Sequence, residues 1–322
     1  MSRSLHRFLA RGRSESGVGP HAAPELPVVL GGEVAGVVSA LGPDTDKSWL
    51  GRRVVVGLET YGGYSEQAVA RVDALHHIPD HLTAEAAVAM ITTGSTALGI
   101  LDCADAKPGD VALVTSAAGG IGALLVQALH HRGVTVVGVA GGPEKVRRAM
   151  SLGADIAVDY RDPHWLDAVR DALGGSGFSI VFDGVGGTVG RQAFDLLAPG
   201  GRFLLHGWSS GTATQITTDD IIEHAGTVIW AIGPQMLERA GTIYALQDRA
   251  IRAAADGVLQ PLITRYPLSR AGDAHADLEN RRTTGKIVLI PQRGPLREHE
   301  RAGGTWRGSP AAAGPCAGRR WH

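Results

Sequence analysis

Apolar residues fall along this chain in two rhythms. From Pro24 to about Thr93, Val-rich segments broken by glycine, such as VVLGGEVAGVVSALG and GRRVVVGLETYGGYSEQAVA, predict short twisted strands and turns. Near residue 110 a regular alternation begins. VALVT (111–115) predicts a buried parallel strand, and a glycine-rich turn then leads into the helical ALLVQALHH, which Gly133 stops. VTVVGVA (134–140) is the next strand; Pro143 suits the first position of the helix that follows, and Gly153 the position just past its end. DIAVDY, the helical HWLDAVRDAL, SIVFDGV, the helical VGRQAFDLL and GRFLLHG continue the series, with TVIWAI (227–232) as a sixth strand. A long helix over 236–256 and a returning strand, GKIVLIP, complete it. Alternation of this kind predicts an α/β fold with a doubly wound parallel sheet, because right-handed crossovers place helices on both faces. Residues 1–23 carry only one short apolar patch, Leu5, Phe8 and Leu9, and the tail 292–322 has almost no apolar periodicity and reads as disordered.

Composition narrows the function classes. A formal charge of −1 gives no long-range field for polyanions, so nucleic acid is not an expected partner. The two cysteines, Cys103 and Cys316, are far apart, which excludes a disulfide scaffold and a thiolate-rich zinc site. No apolar run reaches the ~18–20 residues that span a bilayer, and the basic N-terminus lacks a signal-peptide core; the expectation is a cytoplasmic protein without a membrane. Glycine, at 45 residues, is in excess, and predicts many tight turns or close approaches of backbone to a ligand.

The sharpest motif is SAAGGIG (116–122), between VALVT and a helix. It matches the dinucleotide fingerprint AxGxxG, with Ala117 replacing the first glycine. The chemistry needs a tight turn, then a residue without a side chain where backbone meets pyrophosphate, and a small third residue, Gly122, where helix packs on strand. Amides at the helix start then point at the phosphates. The second strand runs into Ala140-Gly141-Gly142-Pro143-Glu144-Lys145, with no acid at its tip for a ribose 2′-hydroxyl. Lys145 close behind it suits a 2′-phosphate, so NADPH is expected. Glu144 as a displaced ribose acid, or Glu144 and Lys145 as a merely solvated helical turn, stay open on the sequence alone.

At this point the chain resembles the medium-chain dehydrogenase/reductase superfamily, and within it the zinc-independent quinone oxidoreductase branch. The phrases that carry the resemblance are LPVVLGGEVAGVVSALG, GGYSEQAVA, TGSTALGIL, KPGDVALVTSAAGGIGALLVQ, LGADIAVDYRD, FDGVGG and TTGKIVLIP, in family order over residues 5–291. It implies a Rossmann domain (95–256) inserted in a mainly β, GroES-like catalytic domain made of residues 1–94 and a return segment, 257–291. By analogy Thr96 would face the nicotinamide, and Ala118, Gly119, Gly120 and Ile121 the pyrophosphate. Gly141, Lys145 and Tyr160 would frame the adenosine 2′-phosphate. Val185 and the His206-Gly207-Trp208-Ser209 turn would border the ribose–nicotinamide half. The implied reaction is hydride transfer from NADPH to a quinone or an α,β-unsaturated carbonyl. Catalytic residues are not identified beyond two candidates, Thr96 and Tyr64, and a homodimer is the oligomer the resemblance suggests.

Zinc is not expected. Zinc-dependent relatives carry His-Glu where this chain has Gly32-Glu33, and glycine offers no ligand. The His-rich HHIPDH (76–81) lies in a predicted connection and reads as a solvated loop. Family members also begin with several strands and an Asn-containing segment; here LHRFLARGR resembles the helix just after that segment, and the strands before it have no counterpart. That departure implies unpaired sheet edges and a catalytic half more impaired than cofactor binding. Two further function classes therefore stand beside the reductase: a catalytically impaired NADPH-binding or interaction protein, and an enoyl reductase of natural-product biosynthesis.

Overall fold

The computed structural model describes residues 6–8, 27–58 and 61–291; the tail reading and most of LHRFLARGR lie outside them. Two six-stranded sheets organise the chain. The parallel one contains β5 (Val111–Thr115), β6 (Thr135–Ala140), β7 (Ile156–Asp159), β8 (Phe178–Asp183), β9 (Leu197–Leu205) and β10 (Thr227–Trp230), in the order β10-β9-β8-β5-β6-β7. This order reverses direction between β5 and β8, and a crevice opens there at the carboxyl ends of the strands.

Helices cover both faces because both faces of these strands are apolar. In β5, Ala112 and Val114 enter one core with α2 (Thr93–Ala104) and α3 (Gly120–His131). Leu113 points the other way, into a core with Trp165 and Val169 of α5 (Trp165–Ala172) and Phe194 of α6 (Gly187–Phe194). The period-2 alternation of a strand does this directly. As expected, Gly133 follows α3 with a positive φ of 70°, and Pro143 opens α4 (Pro143–Ser151).

The second sheet is assembled from both ends of the described chain. Strands β1 (His6–Phe8), β2 (Glu33–Val37), β3 (Arg53–Gly57) and β4 (His76–His77) join β11 (Ile263–Pro267) and β12 (Lys286–Ile290) in the order β11-β12-β1-β2-β3-β4. The parallel sheet is thus inserted, in sequence, within this mixed one. Ala35 and Val55 face α1 (Ala84–Ile91), whereas Val34, Val54 and Val56 form a separate apolar cluster with Leu75. The helices α1 and α9 (Ile243–Ala255) supply residues to the cores of both sheets.

Four local expectations need correction. His6–Phe8 is a strand between β12 and β2, not part of a helix. The region before Thr93 contains α1, capped by Thr83, whose side chain accepts from the Ala86 amide at 3.1 Å. The helix expected over 236–256 is two helices, α8 (Pro234–Ala240) and α9. Gly241, at φ 82°, ends the first, and the Thr242 side chain caps the second by accepting from Ala245. HHIPDH is only in part a solvated loop: His77, Asp80 and His81 are exposed, but His76 and Ile78 are buried. His76 is buried in β4, stacks on Tyr244 at 4.0 Å and lies 3.1 Å from Oε1 of Gln247, both on α9; His81 sits 3.1 Å from the Ala255 carbonyl. Among the described residues no single helix is long and apolar enough to cross a membrane.

Candidate functional site

The fingerprint turn is built by close backbone approach. Ser116 adopts a positive φ of 55°, and the Gly119 amide donates to its carbonyl at 2.7 Å. A Cβ at Gly122 would stand 2.2 Å from that carbonyl oxygen, so α3 packs on the end of β5 only with glycine there. Gly119 itself has an ordinary φ of −79°; its Cβ would meet Oγ of Ser116 at 2.7 Å. Helix bonding starts with the Ala123 amide on the Gly119 carbonyl. The amides of the first turn before it have no helical acceptor and suit an anion.

The mixed sheet reaches the same turn. Gly285 donates its amide to the Ala118 carbonyl at 2.9 Å and forms a bridge with Gly119. Its φ is +62°, and a Cβ would lie 2.2 Å from the Leu262 carbonyl oxygen, so both conformation and space require glycine. A cavity of about 360 Å³ lies between this contact and the ends of the parallel strands.

Most of the sequence-predicted residues meet there. Ala118, Gly119, Gly120 and Ile121 form the floor; Gly141, Lys145 and Tyr160 line the side under β6 and β7; Val185, His206 and Ser209 line the side under β8 and β9. Four do not line it: Thr96, Gly207, Trp208 and Tyr64. Thr96 lies about one helical turn farther along α2 than Thr93, which does line the cavity, its methyl 3.1 Å from where a Gly120 Cβ would sit. Gly207 packs beside the backbone of Gly184. Tyr64 stands behind the wall, packed with Ile287 and Leu289, its hydroxyl 3.3 Å from Nε2 of His275. Burial, with the Glu33 carboxylate adding to it, pushes the Tyr64 phenol above its ordinary range. Glu144 does not line this cavity either.

The β6–β7 side is cationic. Lys145 donates to the Arg281 carbonyl at 2.7 Å, and Arg281 donates to the Ser209 carbonyl at 3.2 Å. Burial, followed by the Arg161 and Arg281 charges, lowers the Lys145 pKa, with the Glu144 charge opposing. Asp159, at the end of β7, is already engaged: it accepts from the Gly142 amide at 2.8 Å and from the Arg161 guanidinium at 3.1 Å. Tyr160 covers Gly141 so closely that a Cβ there would stand 2.6 Å from the phenol oxygen.

The opposite side depends on burial. His206 is almost wholly enclosed, and its Nε2 has no hydrogen-bond partner. Burial pulls its pKa down to about 4, with the Asp183 charge opposing, so the ring is neutral near pH 7. It sits against Gly184, where a Cβ would be 2.5 Å from the ring. Next to it in the wall, Lys286 of β12 pairs with Glu33 of β2, Nζ to Oε2 at 3.1 Å. Burial raises the Glu33 pKa and lowers that of Lys286 to about 8; each charge holds the other ionised. Thr93, Arg281, Gly285 and Lys286 were not identified from sequence. The phrase TTGKIVLIP was visible, but only as a returning strand.

These features fit a dinucleotide with an extra phosphate: a glycine cradle for the pyrophosphate, cations at the adenosine side and a longer pocket beyond. They do not fit zinc. Among the described residues no three His, Cys, Asp or Glu side chains converge, and the position of Gly32 supplies no ligand.

Residues 120–246 match the family described as zinc-binding dehydrogenase, and residues 10–80 the alcohol dehydrogenase GroES-like domain. The chain is 30% identical over 286 residues to a 2-haloacrylate reductase of a Burkholderia species, covering 85% of this chain and 84% of the relative. It is 32% identical over 278 residues to a quinone oxidoreductase of Pseudomonas aeruginosa, covering 85% of each. The structure of Escherichia coli quinone oxidoreductase complexed with NADPH superposes with a TM-score of 0.75 at 27% identity, over 90% of this chain and 91% of that one. The chain belongs to the medium-chain dehydrogenase/reductase superfamily, in its quinone oxidoreductase branch.

Proposed function

We propose that this chain is an oxidoreductase that takes NADPH in the crevice and reduces a quinone or an α,β-unsaturated carbonyl. The observation that carries the reading is the single cavity that joins the fingerprint turn, the Lys145–Arg281 cation pair and the enclosed pocket at His206, Thr93 and Lys286. The relatives named as quinone oxidoreductases and 2-haloacrylate reductase, and the NADPH held by the Escherichia coli enzyme, support it.

In this reading the amides that open α3 take the pyrophosphate, and Lys145 with Arg281 pairs with the 2′-phosphate. Val185 and His206 then bound the nicotinamide half, where the cofactor supplies a hydride when bound. The described residues offer no metal donor set, so the acceptor must be electron-poor in its own right. The protein contributes alignment, exclusion of water and groups that meet the developing negative charge. We also read residues 1–94 and 257–291 as the catalytic domain and 95–256 as the cofactor domain. The test is acceptor-dependent oxidation of NADPH by the purified chain against a panel of quinones and enones. Turnover with at least one class is expected; NADPH binding with no turnover on any member would leave only the cofactor half of the reading.

A further inference from the structure

One pair of groups in the cleft is left without a role by cofactor binding. Most ion pairs here are at the surface, whereas the Lys286 and Glu33 side chains are only 6% and 4% exposed. A pair so buried adds little net stability, because desolvation of both charges offsets their attraction. Its position gives it another use. Lys286 follows Gly285, whose amide holds the fingerprint turn, and shares the cavity wall with Thr93 and Ile287.

A quinone or enone that accepts a hydride becomes an oxyanion and needs one proton to complete the reaction. Lys145, Tyr160 and Arg281 line the far side of the cavity, under β6 and β7 or against Lys145. On the acceptor side the titratable wall groups among the described residues are His206 and Lys286. His206 is held neutral by burial and has no labile charge to give. Lys286 is an ammonium whose acidity burial has increased, so that it lies close to neutrality.

Building on the oxidoreductase reading, we propose that Lys286 is the proton donor of the reaction and that Glu33 is the residue that positions it. With an enone, the hydride pair forms a C–H bond at the β-carbon and the former π pair moves to oxygen as an enolate. One N–H bond of Lys286 breaks to protonate that enolate, leaving a neutral amine, and NADPH leaves as NADP+. With a quinone the same proton completes the hydroquinone. Thr92 is exposed and its hydroxyl bonds Glu33, which links the pair to solvent, from which the amine regains its proton. Among the described residues, the other charged or titratable groups around Lys286 and its cavity include Tyr64 with His275 behind it, and His206, Lys145 and Arg281 around the cavity. Arg265 on the neighbouring β11 is engaged by Glu85 of α1.

The test uses two variants. Lys286→Arg keeps the cation but does not release a proton in the neutral range. Lys286→Met combined with Glu33→Gln removes both charges and leaves neither unpaired. NADPH affinity is measured by fluorescence titration, then kcat against pH with an enone and a quinone. Both variants should bind NADPH like the parent and lose about 100-fold in kcat, within the range for general acid catalysis. The parent kcat should fall as pH rises above about 8 through loss of the ammonium proton, and both variants should lack that limb. Wild-type kcat in Lys286→Arg, or an unchanged pH profile in the double variant, would overturn the proposal. So would a loss of NADPH affinity that accounts for all the lost activity, since the pair would then be a cofactor ligand. A parent chain that binds NADPH but reduces no acceptor would defeat the oxidoreductase reading itself, and this proposal with it.

Discussion

The two sides of the cleft handle charge in opposite ways. Under β6 and β7 the cations are placed by backbone: Lys145 is held by the Arg281 carbonyl, Arg281 by the Ser209 carbonyl, and Asp159 is occupied by Gly142 and Arg161. The result is excess positive charge open to an incoming phosphate. Beyond the fingerprint turn, burial does the work instead. It holds His206 neutral and makes Lys286 a stronger acid while Glu33 keeps it charged. On the proposed reading, one side binds an anion of fixed charge and the other sets protonation states where the charge changes during reaction.

The largest effect should come from breaking the buried pair on one side only. Lys286→Met leaves Glu33 enclosed without its cation, at a cost of about 3–5 kcal/mol in urea-unfolding experiments near pH 7. Adding Glu33→Gln should recover much of it, and no recovery would mean the pair does not act as a unit. His206 gives the next effect. Its folded pKa lies below the unfolded one, so the unfolded chain binds more protons between the two, and the associated stability is lost as pH falls from about 6.5 toward about 4. That contribution is on the order of 3 kcal/mol, and His206→Phe should flatten this part of the stability–pH curve. Gly119→Val should weaken NADPH and NADH alike by about 1–3 kcal/mol, through the clash with Ser116 as well as loss of the cradle. Equal titration curves for parent and variant would make the turn merely structural. Gly141→Ala should cost less, about 1 kcal/mol of affinity, because the Tyr160 phenol that a Cβ would meet is the far end of a side chain able to shift.

The same contrast explains what the sequence disclosed. The parallel sheet and its glycine turn were legible because strand, turn and helix are contiguous there, and their signals are local. Helix α1 was missed because TAEAAVAMI is a short, nearly continuous apolar run, which periodicity alone does not separate from a buried strand. The break at Gly241-Thr242 was written in residues of the right type for a stop and a cap, but the apolar pattern runs across it. His76 looked like part of a polar loop because its partners, Tyr244 and Gln247, are remote in sequence. The site divides the same way. Residues of the fingerprint and the strand tips were found, by motif or by resemblance. Arg281 and Lys286 were not, since they reach the cleft only when β12 docks its Gly285 on Ala118. Thr93 lines the cavity where Thr96, about one helical turn on, does not, a distance that neither spacing nor analogy resolves without the position of α2 relative to α3.

The central claim is that the cleft holds NADPH, with its 2′-phosphate on Lys145 and Arg281. The most direct measurement is parallel titration of NADPH and NADH into the parent chain and into the combined Lys145→Ala and Arg281→Ala variant. The parent should prefer NADPH, and the variant should lose at least about 1.5–3 kcal/mol for NADPH, the range for one charge-assisted hydrogen bond, while NADH binding changes little. Equal losses for the two cofactors, or a parent that prefers NADH, would contradict the account.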